Sequence, residues 1–253
     1  MAGTQSFERA VLLLRLVAHQ HREGARLAEL TRAAGLTQPT VHRIVMSLVA
    51  EGLVSQHPQT RRYHLGQMVA DLGLTASMSY DSLDLYRSCV ARLASDSEDT
   101  AFMSKRSGLD MICVERRAGA HPAKAFVLDV GVRRPLGAGA SGMAVLSTFE
   151  PVEALRILET NSRAIAQFES WTIKDISTLM AQHTREGYVL RDHEDTDVRT
   201  VAVPVRGVQG TGVATFSIST FRARMPMERV PEIVRMLKRE AAWVENLERN
   251  GSP

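Results

Sequence analysis

The apolar positions of the first fifty residues fall into three helical patterns. Over 6–19, SFERAVLLLRLVAH, Ser6 can cap, Glu8 favours the first turn, and the apolar residues that follow suit a well-buried helix. Leu27, Leu30 and Ala34 share one face of a second helix over 27–34, which Gly35 stops. After a tight turn at Leu36 and Thr37, the residues Val41, Ile44, Val45, Leu48 and Val49 sit at i, i+3, i+4, i+7 and i+8. Thr37 can cap this third helix, Pro39 stands in its first turn where a missing N–H costs little, and Gly52 stops it. LVSQ and YHLG then predict two short strands around the polar turn HPQTRR. A helix-like stretch over 77–98, polar at its start (SMSYDS), is expected as a linker.

Beyond it the period changes. TAFMSK, LDMICVER and KAFVLDV are short strand candidates rich in β-formers. Residues 141–159 predict one or two helices broken near Pro151, and 172–186 another. YVLRD, RTVAVPVRG and GVATFSIS are strands again, the last two joined by the turn VQGTG, and MPMERVPEIVRMLKREAAWVENL closes as an amphipathic helix. Interspersed strands and helices predict an α/β or α+β domain, a sheet with helices packed on it. The expected division is a first domain over 1–76, the linker helix over 77–98 and a second domain over 99–253.

Charge supports that division. The first 76 residues carry eight arginines against five acidic residues, which is the whole net charge of +3 on the 253-residue chain. A basic first third and a neutral remainder suggest different partners. With 44% apolar and 23% charged residues, disordered and fibrous classes are excluded. No apolar run has the length of a membrane span, and the first residues lack the basic and apolar regions of a secretory signal, so a cytoplasmic protein is expected. Cys89 and Cys113 are too few for a disulfide scaffold or a structural zinc site and are expected as buried thiols.

Helix, glycine turn, helix, then a hairpin with arginines at its tip describes a winged helix-turn-helix. The polar face of the third helix offers Gln38, Thr40, His42, Arg43, Met46 and Ser47, the amide, hydroxyl and guanidinium chemistry that reads major-groove edges and holds phosphates. Arg61 and Arg62 on the wing are placed to reach the DNA backbone or the adjacent minor groove.

These residues resemble a known family. SFERAVLLLRL, LAELTRAAGLTQPTVHRIVMSLVAEGLV and RRYHLG are similar to the DNA-binding domain of the IclR family of bacterial transcriptional regulators. GVRRPLGAGASGMAVLS, REGYVLRDHEDTDVRTVAVPV and GVATFSIS continue the resemblance downstream, with Met143 where the family commonly has a basic residue and Asp197 where it commonly has glycine. The resemblance implies a GAF- or PAS-like α/β domain that binds a small organic or aromatic acid. It also implies a homodimer joined through the DNA-binding domains, with dimers pairing into tetramers, that represses or activates a catabolic operon. Its pocket would include Phe126, Ala140, Ser141, Asp192, Thr200, Ser217 and Ser219.

The residues themselves bear on part of that set. Ser217 and Ser219 are two apart on a strand and face one side, an arrangement that suits a polar ligand. Ala140 and Ser141 enter a helix, where free N–H groups and the helix dipole favour a carboxylate.

Other patterns are decoys. Gly137, Gly139 and Gly142 satisfy G-x-G-x-x-G, but Arg133, Arg134 and Pro135 precede them in place of a convincing strand, and Pro151 interrupts the following helix. Ser141 is not a nucleophile elbow, since Met143 stands where glycine is needed. His183, Asp192, His193, Glu194 and Asp195 lack metal-ligand spacing, so neither metal nor cofactor is expected. Arg133 or Arg134 could steer an anion. The alternative, an enzyme with an α/β catalytic domain and a helical appendage, lacks a nucleophile–base pair that the sequence can place. A constitutive architectural protein would leave the α/β domain without a task.

Overall fold

The apolar stripes of the first three helices close on one another. The structure, a computed structural model, describes residues 2–20, 23–78, 82–168 and 172–250. The chain divides into two units, Met1–Asp81 and Ser82–Pro253. In the first, α1 (Ala2–His19), α2 (Leu27–Ala34) and α3 (Gln38–Ala50) precede a hairpin of β1 (Val54–Gln56) and β2 (Tyr63–Leu65). Leu13 and Val17 of α1, Leu30 of α2, Val41, Val45 and Leu48 of α3, and Val54 and Tyr63 of the hairpin form one core. The stripe on α3 is therefore buried, and its opposite face is left outward.

Local details differ from the pattern. α1 begins at Ala2, so Ser6 lies inside the helix and does not cap it. Thr37 is the N-cap residue of α3, but its hydroxyl meets the Thr40 hydroxyl at 2.9 Å and makes no bond to a backbone N–H. Gly24, at φ +73°, is required: a Cβ there would fall 2.3 Å from His64 Nε2, blocking the hairpin where Ala25 pairs with Tyr63. α4 (Gln67–Met78) follows the wing, where the pattern predicts no element. Its apolar residues show no buried stripe to read, with Leu72 and Leu74 well exposed.

Among the described residues the second unit holds a six-stranded antiparallel sheet in the order β5-β4-β3-β8-β7-β6. Its strands are β3 (Thr100–Ser107), β4 (Asp110–Arg117), β5 (Arg133–Pro135), β6 (Val189–His193), β7 (Val198–Arg206) and β8 (Gly212–Phe221). α5 (Ser82–Ser97) and α9 (Val230–Asn250) pack on one face, and α6 (Gly139–Leu146), α7 (Pro151–Ile165) and α8 (Ile173–Glu186) belong to the core on the other. The architecture is the expected winged helix-turn-helix followed by an α/β domain.

Three expectations are corrected. The stretch 77–98 is more than a linker: residues 79–81 lie outside the described residues, and α5 is a core element with Tyr86, Cys89, Val90, Leu93 and Ala94 buried. Its charged exposed face (Asp84, Arg87) disguises that stripe. KAFVLDV forms no strand, and the sheet edge is the short β5. β-formers there lack a strand to pair with, and the segment is tethered instead by Arg116, which donates to the Leu128 carbonyl at 3.3 Å and pairs with Asp129. The strand that does precede the G-x-G-x-x-G loop is this antiparallel edge, not the parallel strand of a dinucleotide-binding unit.

Two aspartates fix the connections of the sheet. Asp197, in the turn before β7, sits in the left-handed region at φ +51°, a conformation that favours glycine, and its carboxylate pairs with Arg222 at 2.5 Å. Asp99, whose side chain is fully buried, joins the end of α5 to the segment before α9. It accepts from Arg224 Nε at 2.6 Å and from an Arg229 terminal nitrogen at 2.8 Å, while Arg229 also donates to the Ser97 carbonyl at 2.8 Å. Removing the Asp99 carboxylate takes from Arg229 its carboxylate partner and leaves Arg224 with the exposed Glu98 at 3.1 Å. Asp99→Ala is expected to destabilise the protein by about 3 kcal/mol, measured by urea unfolding; a loss within experimental error would show that the clamp contributes nothing net.

Candidate nucleic-acid interface and ligand cavity

The outward face of α3 carries His42, Arg43, Met46 and Ser47, with Gln38 at its start. Of these, Gln38, His42, Met46 and Ser47 are exposed, and Arg43 is open to solvent beside them. Thr40 is half-buried and holds Thr37, and the Ser47 hydroxyl donates to the Arg43 carbonyl at 3.1 Å. Arg43 and Ser47 also line a groove with Ser6 and Ala10 of α1.

The two wing arginines part company. Arg61 is exposed at the hairpin tip, at φ +56°, a conformation costly for most residues other than glycine. Arg62 is half-buried, and its guanidinium turns back to donate to the Gly24 carbonyl at 2.6 Å. Arg62, expected to reach DNA, instead ties the wing to the body of its unit.

In the second unit, strand alternation sorts the central strands. One face of β3, β8 and β7 presents Ala101, Met103, Ile218, Phe216, Val201 and Val203 to α5 and α9. The other presents Thr100, Phe102, Ser104, Thr215, Ser217, Ser219 and Thr200. A small cavity, with a free volume of about 40 Å³, lies on that second face. Phe102, Ser104, Met111, Thr200, Ser217 and His193 come from the sheet, and residues 138–142 from the start of α6. Arg134 of β5, with Val127 and Leu128, completes it.

Two sources of positive potential converge there. The first-turn N–H groups of α6 are one. The Arg134 guanidinium is the other: a Cβ added to Gly139, which sits at φ +66°, would lie 3.6 Å from its terminal nitrogen. Arg134 also donates to the Val127 carbonyl at 3.1 Å. Met143 is buried in the core of α6 and brings no charge to the helix. Beside the cavity, the Thr200 hydroxyl lies 2.8 Å from the Ser219 hydroxyl and 3.4 Å from His193 Nε2.

Of the residues expected in a pocket, Ala140, Ser141, Thr200 and Ser217 line this cavity. Ser219 stands behind Thr200 and positions its hydroxyl. Phe126 and Asp192 do not contribute. Phe126 is 55% exposed under the Arg116 guanidinium. Asp192 faces away, held by Arg199 at 2.6 and 2.7 Å, and these hydrogen bonds lower its pKa from the ordinary value. The neighbouring His193 takes the inward position, because adjacent strand residues point to opposite faces. Phe102, Ser104 and Met111 escape the sequence reading; the alternation in TAFMSK offers a signal, but not the identity of the strand beside it.

Burial pushes the Cys89 thiol up to about 12 and the Cys113 thiol up to about 11, so neither is an activated nucleophile. Among the described residues, no group of His, Cys, Asp and Glu is arranged to hold a metal ion, and no helix is long and apolar enough to cross a membrane.

Comparison with known proteins places these features. The profile of the IclR helix-turn-helix domain matches residues 6–58, and that of the bacterial transcriptional regulator IclR C-terminal domain matches 77–246. The HTH-type transcriptional regulator XynR of Escherichia coli is 27% identical over 225 residues, covering 87% of this chain and 88% of its own. The glycerol operon regulatory protein of Streptomyces griseus is 30% identical over 219 residues, covering 81% and 84%. An IclR-type regulator from a Silicibacter strain has the same fold, with a TM-score of 0.83 at 22% identity over 98% of both chains. An IclR homolog from Microbacterium hydrocarbonoxydans, solved with 4-hydroxybenzoate, gives 0.70 at 21% identity over 97% of this chain and 100% of that one. The chain belongs to the IclR family of bacterial transcriptional regulators.

Proposed function

We propose that this regulator binds operator DNA through α3 and the wing as a homodimer, and that a small organic acid in the second unit's cavity alters that binding to control a catabolic operon. The observation that carries the ligand reading is the convergence of the α6 N-terminus, Arg134 and strand hydroxyls on one cavity. The homolog solved with 4-hydroxybenzoate and the relative named for a glycerol operon support the same reading. Its family of DNA-binding regulators supports action in the cytoplasm by binding. DNA binding belongs to 1–76 and effector binding to 99–253, with α5 serving the latter.

Arg61 supports the DNA reading. A strained backbone at an exposed tip, where glycine would relieve it, marks a side chain placed for contact. Phe7 and Leu12 on α1 and Leu72 and Leu74 on α4 leave apolar surface that a second copy would cover. The ligand acts by preferring one arrangement of the dimer, with a coupling of about 1–3 kcal/mol.

Arg43→Ala is expected to cost about 1–3 kcal/mol of operator binding and to relax sequence preference. Arg61→Ala should weaken all sequences alike and reduce the salt slope by about one. Arg62→Ala should instead lower stability by about 1.5–3 kcal/mol, since it removes a charged donor from the Gly24 carbonyl. Fluorescence anisotropy at several salt concentrations, beside urea unfolding, separates the three; equal effects of Arg61→Ala and Arg62→Ala on the salt slope would contradict the assignment.

A further inference from the structure

A second cavity opens at the far end of α6, apart from the one at its start. Ser147 and Thr148, just past the last turn of α6, line it with Leu155 and Leu158 of α7, Met180 of α8 and Arg206 at the end of β7. Its free volume is about 390 Å³. Leu158 and Ala154 belong to the core, 1% and 2% exposed, yet they face this space. Protein interiors leave few voids larger than a water molecule, and a cavity of ~150 Å³ already accommodates benzene. The room is that of a small-molecule pocket, with an apolar floor and a few polar groups.

The polar groups narrow what it can take. The hydroxyls of Ser147, Ser177 and Thr184 already donate to the Ala144, Ile173 and Met180 carbonyls at 2.9, 2.8 and 2.9 Å, so their oxygens are left to accept. Glu150 and Arg206 bring opposite charges to the same lining, and neither forms an ion pair with the other or with any described residue. The Arg206 guanidinium donates to the Gly210 carbonyl at 3.0 Å and keeps further N–H groups to offer. We propose that this cavity binds an α-amino acid with an apolar side chain. Its ammonium faces Glu150 and the hydroxyl oxygens, its carboxylate takes the Arg206 guanidinium, and its side chain rests on Leu155, Leu158 and Met180. A zwitterion matches both charges of the wall, whereas an apolar acid or an apolar amine matches one and leaves the other facing hydrocarbon. The site stands whatever the role of the first cavity.

Calorimetry on the full chain with phenylalanine, leucine, hydrocinnamate and phenethylamine tests this. Phenylalanine or leucine is expected to bind, and hydrocinnamate and phenethylamine, each lacking one charge of phenylalanine, about five- to tenfold more weakly than phenylalanine. Arg206→Gln should weaken phenylalanine and hydrocinnamate about tenfold and leave phenethylamine unchanged. Glu150→Gln, at an exposed position, should weaken phenylalanine and phenethylamine about threefold and leave hydrocinnamate unchanged. Thr200→Val, in the first cavity, should alter none of these affinities. All compounds binding alike, or affinities that respond to Thr200→Val and not to Arg206→Gln, overturn the proposal. So does the absence of binding by both amino acids at millimolar concentration; none of these results bears on the first cavity as the effector site.

Discussion

The second unit depends on β8 lying between β3 and β7. Because successive residues of a strand point to opposite faces, one register decides the character of two surfaces at once. Ile218, Phe216 and their neighbours form a dry face under α5 and α9, while Ser217 and Ser219 join Thr200 and Ser104 on the face toward α6. A slip of one residue would drive hydroxyls into the dry core and apolar side chains into the cavity. The strength of the dry face is what allows the other to remain polar.

The first unit solves a different problem. Its core is small, and α3 must be rigid while its polar face stays outward. Gly24 permits the hairpin to close against the helices, and Arg62 fastens it there through the Gly24 carbonyl. That leaves Arg61 at a tip held in a strained conformation. Two adjacent arginines are thus separated, one anchored and one exposed at the tip, a distinction set by one hydrogen bond.

Charge in the second unit is similarly committed. Asp192 is engaged by Arg199 and Asp99 by Arg224 and Arg229, so these carboxylates stabilise structure and stand away from the cavity. The Asp192 contribution is present above the ordinary aspartate pKa and is lost as pH falls through its lowered value. The polar groups in the cavity's largely apolar lining are mainly donors: helix N–H groups, a guanidinium and hydroxyls.

Periodicity by itself determined α2, α3, the wing strands and most of the sheet, because those stripes face a core whatever lies across from them. The family resemblance pointed to the start of α6 and the hydroxyl pair of β8, and the residues agreed, since helix starts and same-face hydroxyls are local features; Ala140, Ser141 and Ser217 do line the cavity. Partners in space decided the rest. KAFVLDV has the composition of a strand but no edge to pair with, and α5 hides a buried stripe beneath a charged face. Phase exchanged His193 for Asp192, packing turned Arg62 inward from the wing, and strand order brought Ser104 into the cavity. A sequence records which way each residue faces along its own element; only the tertiary structure decides what it meets there.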